Sequence, residues 1–370
     1  MEKIVFTCES VTPMFMYGAD GTTPELRPAS IKGIMRFWWR AINGNLPLKE
    51  LKETENDIFG STNKKSSFSI KVKILTQLES SYNNLINEIK KFDGIQYNFY
   101  HIFLKNEGKK YFKKLKFDLE IKFYNKKYIE EILKTLVIIN YFGGFGTRNR
   151  RGAGSVSLKI KNPEILEEKI KNVKTIKEIT NLFDTSKVKN KEDLKEHIKE
   201  IFKIIPITSN TLYSTLYKQI YIFEAQKDWK KALETIAKPF REFRNSHKSD
   251  LYNTPNFGIP IKHKNENGSI FIGAKIEKDE CKDKKQRRAS PLIFKILKIS
   301  ENIYFPIIIW LEGDLLPKEY YIVSSSDCKK DKDIEKNKIK TEKPNNKIIN
   351  EFFETFNEKE YVRLDYESNK

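Results

Sequence analysis

The segment from Gly143 to Gly154, near the middle of the chain, reads Gly-Gly-Phe-Gly-Thr-Arg-Asn-Arg-Arg-Gly-Ala-Gly. It follows an apolar run with helical periodicity, and it holds five glycines and three arginines. Glycine permits turns with positive φ and lets backbone N–H groups approach a ligand, while arginine presents a planar fork of donors suited to phosphates. The composition therefore predicts a loop that binds a polyanion.

Arginine is rare elsewhere in this chain, which contains 11 arginines against 58 lysines. Because lysine is the default cation, arginine is expected where a bidentate, stackable group is needed. Ten of the arginines fall in four clusters, and the exception is Arg363. The clusters are Arg27, Arg36 and Arg40; Arg148, Arg150 and Arg151; Arg241 and Arg244; and Arg287 and Arg288.

The formal net charge of +19 favours an anionic partner, for which nucleic acid is the usual candidate. A solvated coat of lysines is the alternative explanation for many of these charges. The three cysteines, Cys8, Cys281 and Cys328, fit neither a disulfide framework nor a metal site. Without a signal-peptide pattern or a long apolar stretch, the sequence predicts a soluble cytoplasmic protein with no membrane partner.

The first half of the chain predicts an order of elements close to the βαββαβ ferredoxin-like unit. One helix is expected to begin after Ser30, a plausible N-cap, and another covers residues 127–141. Strands are predicted over residues 4–12, 68–75, 115–124 and 155–160.

The second half predicts helices over residues 212–223, 229–245 and 347–356, with strands over 269–276, 291–299 and 304–311. Residues 329–346 are charged and of low complexity, which predicts a mobile loop. The division we expect is an N-terminal domain with the glycine-rich loop (1–162), a helical linker or insertion (163–205) and a C-terminal domain (206–370).

The first predicted helix has two distinct faces on a helical wheel. Its apolar face comprises Ile31, Ile34, Met35, Trp38, Ala41 and Ile42, and Lys32, Arg36 and Arg40 follow one another on the opposite face. Gly33 lies beside Arg40, and Trp39 lies at the border. A glycine inside a helix costs about 1 kcal/mol relative to alanine, so Gly33 suggests a close approach by RNA or another subunit. A plain amphipathic helix is the alternative.

Nucleotide-binding motifs do not fit the glycine-rich loop. The chain lacks the P-loop pattern, and Gly144-Phe-Gly146 lacks the third glycine of a dinucleotide fingerprint and follows a helix. A site that hydrolyses nucleotides is therefore disfavoured. An ordinary turn with surface arginines is the remaining alternative.

The other two arginine clusters are weaker signals. Arg241, Arg244 and Lys248 share one face of a predicted helix, with His247 nearby. Arg287 and Arg288 belong to a basic turn that leads into a predicted strand. A plain charged surface explains either cluster equally well.

Catalysis has little support in the sequence. The four histidines are scattered, and no paired carboxylates or His/Cys cluster with metal-ligand spacing is evident. Asp20, in a turn before the first helix, is more typical of a solvated turn residue. We therefore expect no enzyme activity, no metal and no cofactor.

Four segments resemble the RAMP superfamily of CRISPR proteins and, within it, the family of the first subunit of the type III-B Cmr effector complex. The segments are Thr12 to Gly18, Glu25 to Arg40, the glycine-rich loop, and Arg287 to Leu292. The block Arg-Pro-Ala-Ser-Ile-Lys-Gly-Ile-Met-Arg-Phe-Trp-Trp-Arg is the most distinctive of them. The lysine-rich segments at 162–203 and 329–346 lie outside the resemblance.

The resemblance implies an α+β fold in which two ferredoxin-like, RRM-like domains face each other across a basic cleft. It implies a non-catalytic subunit that binds single-stranded RNA, crRNA and target, near the 3′ end of the crRNA, together with other Cmr subunits. The implied RNA-binding residues are Lys32, Gly33, Arg36, Trp39, Arg40, Gly144, Gly146, Arg148, Arg150, Arg151 and Gly152, and the weaker clusters add Arg241, Arg244, Arg287 and Arg288. Trp39 is expected to offer a stacking surface.

One departure from RNA-reading RRM domains is the absence of an RNP motif with aromatic residues on the sheet. Binding by a loop and a helix face is therefore the better hypothesis. Two alternatives stay open. One is a RAMP-type endonuclease that processes repeat RNA or cuts target RNA, and the other is a scaffold whose basic faces meet acidic subunits.

Overall fold

The computed structural model describes residues 2–104, 108–161, 173–206, 219–250, 253–259, 261–265, 268–275, 288–311, 321–324, 341–342 and 346–365. These residues form three four-stranded sheets. No helix in these ranges is long and apolar enough to cross a membrane.

The N-terminal domain confirms the predicted ferredoxin-like order. Its strands lie in the order β2-β3-β1-β4, and each neighbouring pair is antiparallel. Helices α2, α3 and α4 are additions that the sequence pattern did not predict. The elements are β1 (Glu2–Ser10), α1 (Pro28–Ile42), α2 (Leu48–Phe59), β2 (Phe68–Ser81), α3 (Tyr82–Glu88), α4 (Asp93–Phe103), β3 (Lys110–Phe123), α5 (Ile129–Phe142) and β4 (Val156–Ile160).

Helix α1 begins earlier than the sequence suggested. Arg27 is its N-cap and Pro28 its first residue, so Ser30 lies inside the helix and is not the N-cap. The fixed φ of proline suits the first helical position, where its missing N–H costs nothing. The apolar face is buried as predicted, with Ile31 and Met35 fully buried.

Helices α6 (Val173–Asn181) and α7 (Lys191–Ile204) follow the N-terminal domain. Ile179 and Ile198 are buried in the same core cluster as β1 and α5. The Tyr141 hydroxyl of α5 donates a hydrogen bond to the Leu182 carbonyl at 2.7 Å. These two helices are therefore packed on the N-terminal domain, and α7 also contacts the C-terminal domain, where Lys191 donates to the Lys359 carbonyl at 2.7 Å. They are not a free spacer.

The C-terminal domain is a second ferredoxin-like unit. Its main sheet has the order β12-β5-β9-β8, again antiparallel, and β11-β10-β7-β6 form a separate sheet. The elements are β5 (Gln219–Phe223), α8 (Trp229–Ser246), β6 (Ile261–Asn265), β7 (Gly268–Lys275), β8 (Leu292–Ser300), β9 (Ile303–Trp310), β10 (Tyr321–Ser324), β11 (Thr341–Glu342), α9 (Lys347–Phe353) and β12 (Tyr361–Asp365).

The helix predicted over residues 212–223 is wrong in its last part, because Gln219–Phe223 is strand β5. Ile220, Tyr221, Ile222 and Phe223 are all buried. A strand covered on both faces shows no polar alternation, and a short apolar run is then ambiguous between helix and strand. Residues 212–218 lie outside the described residues, as does most of the loop predicted at 329–346.

The glycine loop, Gly143–Gly154, joins the two domains through β8. Arg151 pairs with Phe294 in a parallel bridge, and the Phe294 N–H donates to the Arg150 carbonyl at 3.1 Å. Lys295 is only 1% exposed. Its ammonium donates to the Gly143 carbonyl at 2.7 Å and to the Val156 carbonyl at 2.8 Å, which fixes both ends of the loop.

Helix α4 of the N-terminal domain packs on α8 of the C-terminal domain. The Glu234 carboxylate of α8 accepts hydrogen bonds from the N–H groups of Gly94 and Ile95, both at 3.0 Å. A Cβ atom at Gly94 would overlap with the backbone of Lys238. Gly94 therefore permits the two helices to approach this closely.

We expect Gly94→Ala to lower the free energy of unfolding by about 1–3 kcal/mol, because backbone atoms of α8 must move to admit the methyl group. Gly33→Ala is the matched control, since no atom lies within 4 Å of a Cβ there. That control should stabilise the protein by up to ~1 kcal/mol through helix propensity. Thermal and urea denaturation of both variants measure the difference, and equal stabilities would contradict the close packing.

The buried amino group of Lys295 predicts a pH dependence of stability. Burial lowers the pKa of Lys295 well below its ordinary value, whereas the unfolded chain titrates near ~10.4. Between these two pKa values the unfolded state binds more protons, so raising the pH stabilises the folded state.

Relative to Lys295→Met, the wild-type protein should gain up to about 1.4 kcal/mol of unfolding free energy per pH unit within that window. Urea titrations of both proteins between about pH 7 and pH 10 supply the comparison. A difference that stays constant with pH would show that Lys295 is charged in the folded state.

Candidate nucleic-acid interface

The glycines of the loop face the protein itself. Gly146 has φ +84°, and a Cβ there would lie 2.5 Å from the Phe15 carbonyl oxygen. At Gly152 (φ +87°) a Cβ would lie 2.5 Å from the Leu233 side chain, and at Gly144 it would lie 2.7 Å from the Gly154 carbonyl. These glycines thus admit neighbouring protein atoms. The prediction that these glycines make room for an RNA backbone is therefore wrong.

Arg150 and Arg151 hold the loop to the C-terminal domain. Arg150 donates from Nη1 to the Ser290 carbonyl at 2.7 Å, and Arg151 donates from Nη2 to the Phe257 carbonyl at 3.1 Å. Burial lowers the pKa of Arg150 to about 10 and that of Arg151 to about 9. Both remain cations at neutral pH. Part of the predicted basic cleft is thus occupied by contacts between the domains.

Arg148 differs from Arg150 and Arg151. It has φ +62°, the one positive φ of a non-glycine residue within the described ranges, and such a backbone costs on the order of 1–3 kcal/mol. Its side chain is partly buried, and that side chain makes no hydrogen bond or ion pair with any residue that the structure describes. Burial lowers the pKa of Arg148. Its guanidinium therefore remains available to a ligand.

Two of the predicted basic residues on α1 are directed towards α2. Arg36 donates from Nη1 to the Glu55 carboxylate at 3.0 Å and from Nη2 to the Phe59 carbonyl at 3.1 Å. Arg40 lies 3.7 Å from the same carboxylate but is exposed. Arg36 therefore has mainly a packing role, whereas Arg40 is accessible.

Trp39 is not a stacking surface. It is 1% exposed, and its indole Nε1 donates to the Glu131 carboxylate at 3.2 Å. Its ring packs against Phe59 in an edge contact. The helical wheel placed Trp39 at the border of the two faces, and α2 and α5 cover that border.

Gly33 lies on an open surface, where a Cβ atom would have no neighbouring atom within 4 Å. Ala29, Phe37 and Arg40 share its side of the helix by their spacing. The Arg150 guanidinium lies 4.7 Å from the centre of the Phe37 ring. We call Ala29, Gly33, Phe37 and Arg40, together with Arg150, the α1 surface.

The Lys32 ammonium lies at the side of this surface, 4.8 Å from the centre of the Phe68 ring. Burial and, to a smaller extent, the charge of Arg36 lower the pKa of Lys32. Lys32 is therefore only partly accessible. A ligand on the α1 surface would contact only the edge of the Lys32 side chain.

The remaining predicted arginines belong to α8 and to the residues before β8. Arg241 lies 3.5 Å from the Asp93 carboxylate, and Arg244 donates from Nη1 to the Thr254 carbonyl at 2.6 Å. The backbone of Arg288 pairs with that of Ile259 at 2.9 and 3.0 Å. Arg287 lies outside the described residues.

Sequence reasoning missed α4, which carries Tyr97, Tyr100 and His101 beside the loop. Tyr100 and His101 are exposed, and Arg244 donates from Nε to the Tyr97 hydroxyl at 3.4 Å. Their spacing of three and four residues places them on one side of a helix. That spacing could have indicated an aromatic helix face, but the helix α4 itself was not predicted.

The arginines of the loop lie within reach of one another's charge. After burial, the charges of Arg148, Arg244 and Arg150 each contribute to the lowered pKa of Arg151. The charge of Arg288 likewise contributes to the lowered pKa of Arg150. A concentration of positive charge of this kind attracts polyanions. Among the described residues, no group of three or more His, Cys, Asp or Glu side chains is arranged to hold a metal.

Comparison with known structures supports the fold. The crystal structure of Cmr1 from Pyrococcus furiosus in its apo form superposes with a TM-score of 0.59 at 24% identity, covering 86% of this chain and 90% of that one. A chain of the type III-B Cmr-beta complex bound to cognate target RNA superposes with a TM-score of 0.58 at 15% identity, covering 95% of this chain and 98% of that one.

Sequence comparison identifies the family. The model of the RAMP superfamily matches residues 7–157. The CRISPR system Cmr subunit Cmr1-2 of Pyrococcus furiosus is 32% identical over 184 residues, which are 43% of this chain and 97% of that protein. Cmr subunit Cmr1-1 of the same organism is 27% identical over 325 residues, covering 80% of this chain and 83% of that protein. The chain therefore belongs to the Cmr1 family of CRISPR proteins, within the RAMP superfamily.

Proposed function

We propose that this protein is a non-catalytic subunit of a cytoplasmic type III-B Cmr effector complex, in which it binds single-stranded RNA near the 3′ end of the crRNA during antiviral defence. Its partners are then the crRNA, the target RNA and other Cmr subunits. The observation that carries the proposal is the α1 surface, where an exposed glycine lies on the same side of the helix as the exposed Arg40 and the partly exposed Phe37 ring, over which Arg150 is held.

The chemistry of the α1 surface suits a sugar–phosphate backbone. Gly33 leaves room for a backbone to lie directly on the helix, and Arg40 lies two turns further along the same side. Arg150 is fixed over Phe37 by its bond to Ser290, so its charge is held at the edge of the surface. Preorganised cations of this kind contribute affinity without base specificity.

The relatives support the proposal. Curated members of the family are named Cmr subunits. The Cmr-beta assembly that contains a chain of this fold is bound to cognate target RNA. A net charge of +19 agrees with a polyanionic partner.

The residues considered for catalysis have structural roles in this chain. The Asp20 carboxylate accepts hydrogen bonds from the Thr23 hydroxyl and from the N–H groups of Thr22 and Thr23, which together lower its pKa and close its own turn. The His247 ring stacks on Phe243 with a centroid distance of 4.1 Å at the end of α8. These contacts favour a binding role over nuclease chemistry.

A graded series at Gly33 tests RNA binding by the α1 surface. We expect Gly33→Gln to weaken binding of single-stranded RNA by about tenfold, because the side chain fills the space over the helix, while Gly33→Ala has a smaller effect. Each phosphate that the variant no longer neutralises should reduce the slope of log affinity against log salt by about 0.7 for a single strand. Fluorescence anisotropy with labelled RNA at several salt concentrations gives both quantities.

Lys199→Gln is the control for this series, because it removes a charge from an exposed position on α7 and leaves the α1 surface unchanged. Its affinity should match that of the wild type. If Gly33→Gln binds RNA as tightly as the wild type, this surface does not contact RNA. Crosslinks in the assembled complex that avoid α1 and the glycine loop would favour a scaffolding role.

A cleavage assay tests the non-catalytic part of the proposal. We expect purified protein to leave CRISPR repeat RNA and target RNA intact, with and without Mg²⁺, on a denaturing gel. Cleavage at a defined position would contradict the proposal if Asp20→Asn or His247→Ala abolished it. Those two variants separate activity of this chain from that of a contaminating nuclease.

A further inference from the structure

A second group of basic and aromatic side chains lies where α4, α8 and the glycine loop meet. Its three cations come from two elements: Arg148 and Arg151 belong to the loop, and Arg244 belongs to α8. The Arg151 guanidinium lies 4.5 Å from the centre of the Phe240 ring, and that of Arg244 lies 5.3 Å from the centre of the Phe257 ring. The aromatic rings thus hold two of the cations in fixed orientations.

These cations retain unused donors. The Nη1 atom of Arg151 is buried and has no hydrogen-bond partner among the described residues. The Arg148 side chain is likewise without a hydrogen bond or ion pair in the part of the chain that is described. Leaving a buried charged donor unpaired costs free energy, and an oxyanion would satisfy it.

Two carboxylates on these helices, Asp93 of α4 and Glu234 of α8, are engaged elsewhere. Asp93 lies 3.5 Å from Arg241, and Glu234 accepts the N–H groups of Gly94 and Ile95. The protein therefore supplies three cations here without a matching anion from these residues. Such an arrangement suits a phosphate group.

An aromatic platform adjoins these cations. The Tyr100 side chain is 55% exposed, and its ring lies 5.7 Å from the exposed His101 ring. One turn before Tyr100 on the same side of α4, the Tyr97 hydroxyl accepts a hydrogen bond from Arg244 Nε at 3.4 Å, and Asn98 of α4 donates to the Arg151 carbonyl at 3.3 Å. An exposed aromatic beside arginines is the usual arrangement for stacking an unpaired base over a bound phosphate.

We propose that this junction binds one nucleotide of single-stranded RNA, with Arg148, Arg151 and Arg244 around a phosphate and Tyr100 stacked on a base. We call it the α4 pocket. The inference rests on the proposed RNA-binding function and adds a second contact to the α1 surface.

An RNA nucleotide fits these observations better than an acidic peptide does. An acidic side chain accounts for the cations, but it gives no reason for the exposed Tyr100 ring on the adjoining helix. Base stacking uses the face of that ring and tolerates any base. The α4 pocket should therefore bind RNA with little base preference.

Two substitutions in the full-length protein test the α4 pocket. Tyr100→Ala should weaken binding of oligouridylate and oligoadenylate by about tenfold, whereas Tyr100→Phe should keep most of the affinity because stacking is retained. Arg148→Gly should weaken binding by a similar factor. It should not destabilise the fold, because glycine adopts the positive φ of Arg148 without strain.

Tyr124→Ala is the matched control, because Tyr124 is also 55% exposed but lies at the end of β3. Fluorescence anisotropy measures affinity, and thermal denaturation confirms that each variant is folded. Loss of affinity in Tyr100→Ala and Arg148→Gly, with Tyr124→Ala unchanged, supports the pocket.

Wild-type binding that neither substitution weakens would overturn the α4 pocket and leave the proposed function standing. If the wild-type protein binds neither oligonucleotide, the proposed function and the pocket fail together. Binding of a poly-glutamate peptide that Arg148→Gly abolishes, with RNA binding intact, would assign the pocket to an acidic protein partner.

Discussion

The contact between the glycine loop and β8 determines how the two domains of this protein are held together. The loop belongs to the N-terminal domain, yet its backbone pairs with Phe294 and its Gly143 carbonyl accepts a hydrogen bond from the buried Nζ of Lys295. Burying an ammonium is costly unless its donors are satisfied, so this contact strongly specifies one arrangement. Glycines are required because Cβ atoms at Gly146 and Gly152 would enter space that the protein occupies.

That arrangement divides the arginines into two groups. Arg36 and Arg150 make hydrogen bonds to main-chain carbonyls and so support packing. Arg40 is exposed, and the Arg148 side chain makes no hydrogen bond or ion pair with a described residue. The first group positions the second, because rigid neighbours fix the direction in which an accessible guanidinium points. A protein that binds RNA backbone benefits from this, since less side-chain entropy is lost on binding.

Much of the fold could be predicted from local pattern. The order of the four strands with α1 and α5 in the N-terminal domain followed from periodicity, and the buried face of α1 matched its helical wheel. Strand β5 could not be predicted in the same way, because burial of both faces removes the alternation that distinguishes a strand. The site was predicted less well. Trp39 looked accessible on an isolated helix, but α2 and α5 cover it.

The sequence by itself determined the family, the basic character of the protein and the positions where arginine was concentrated. Only the tertiary structure decided which of those arginines face solvent, and it brought Tyr97 of α4 within hydrogen-bonding distance of Arg244 on α8. The physical reason is that a side chain's partners depend on neighbours far away in the chain. Arg150 meets Ser290, and no local pattern encodes a contact of that separation.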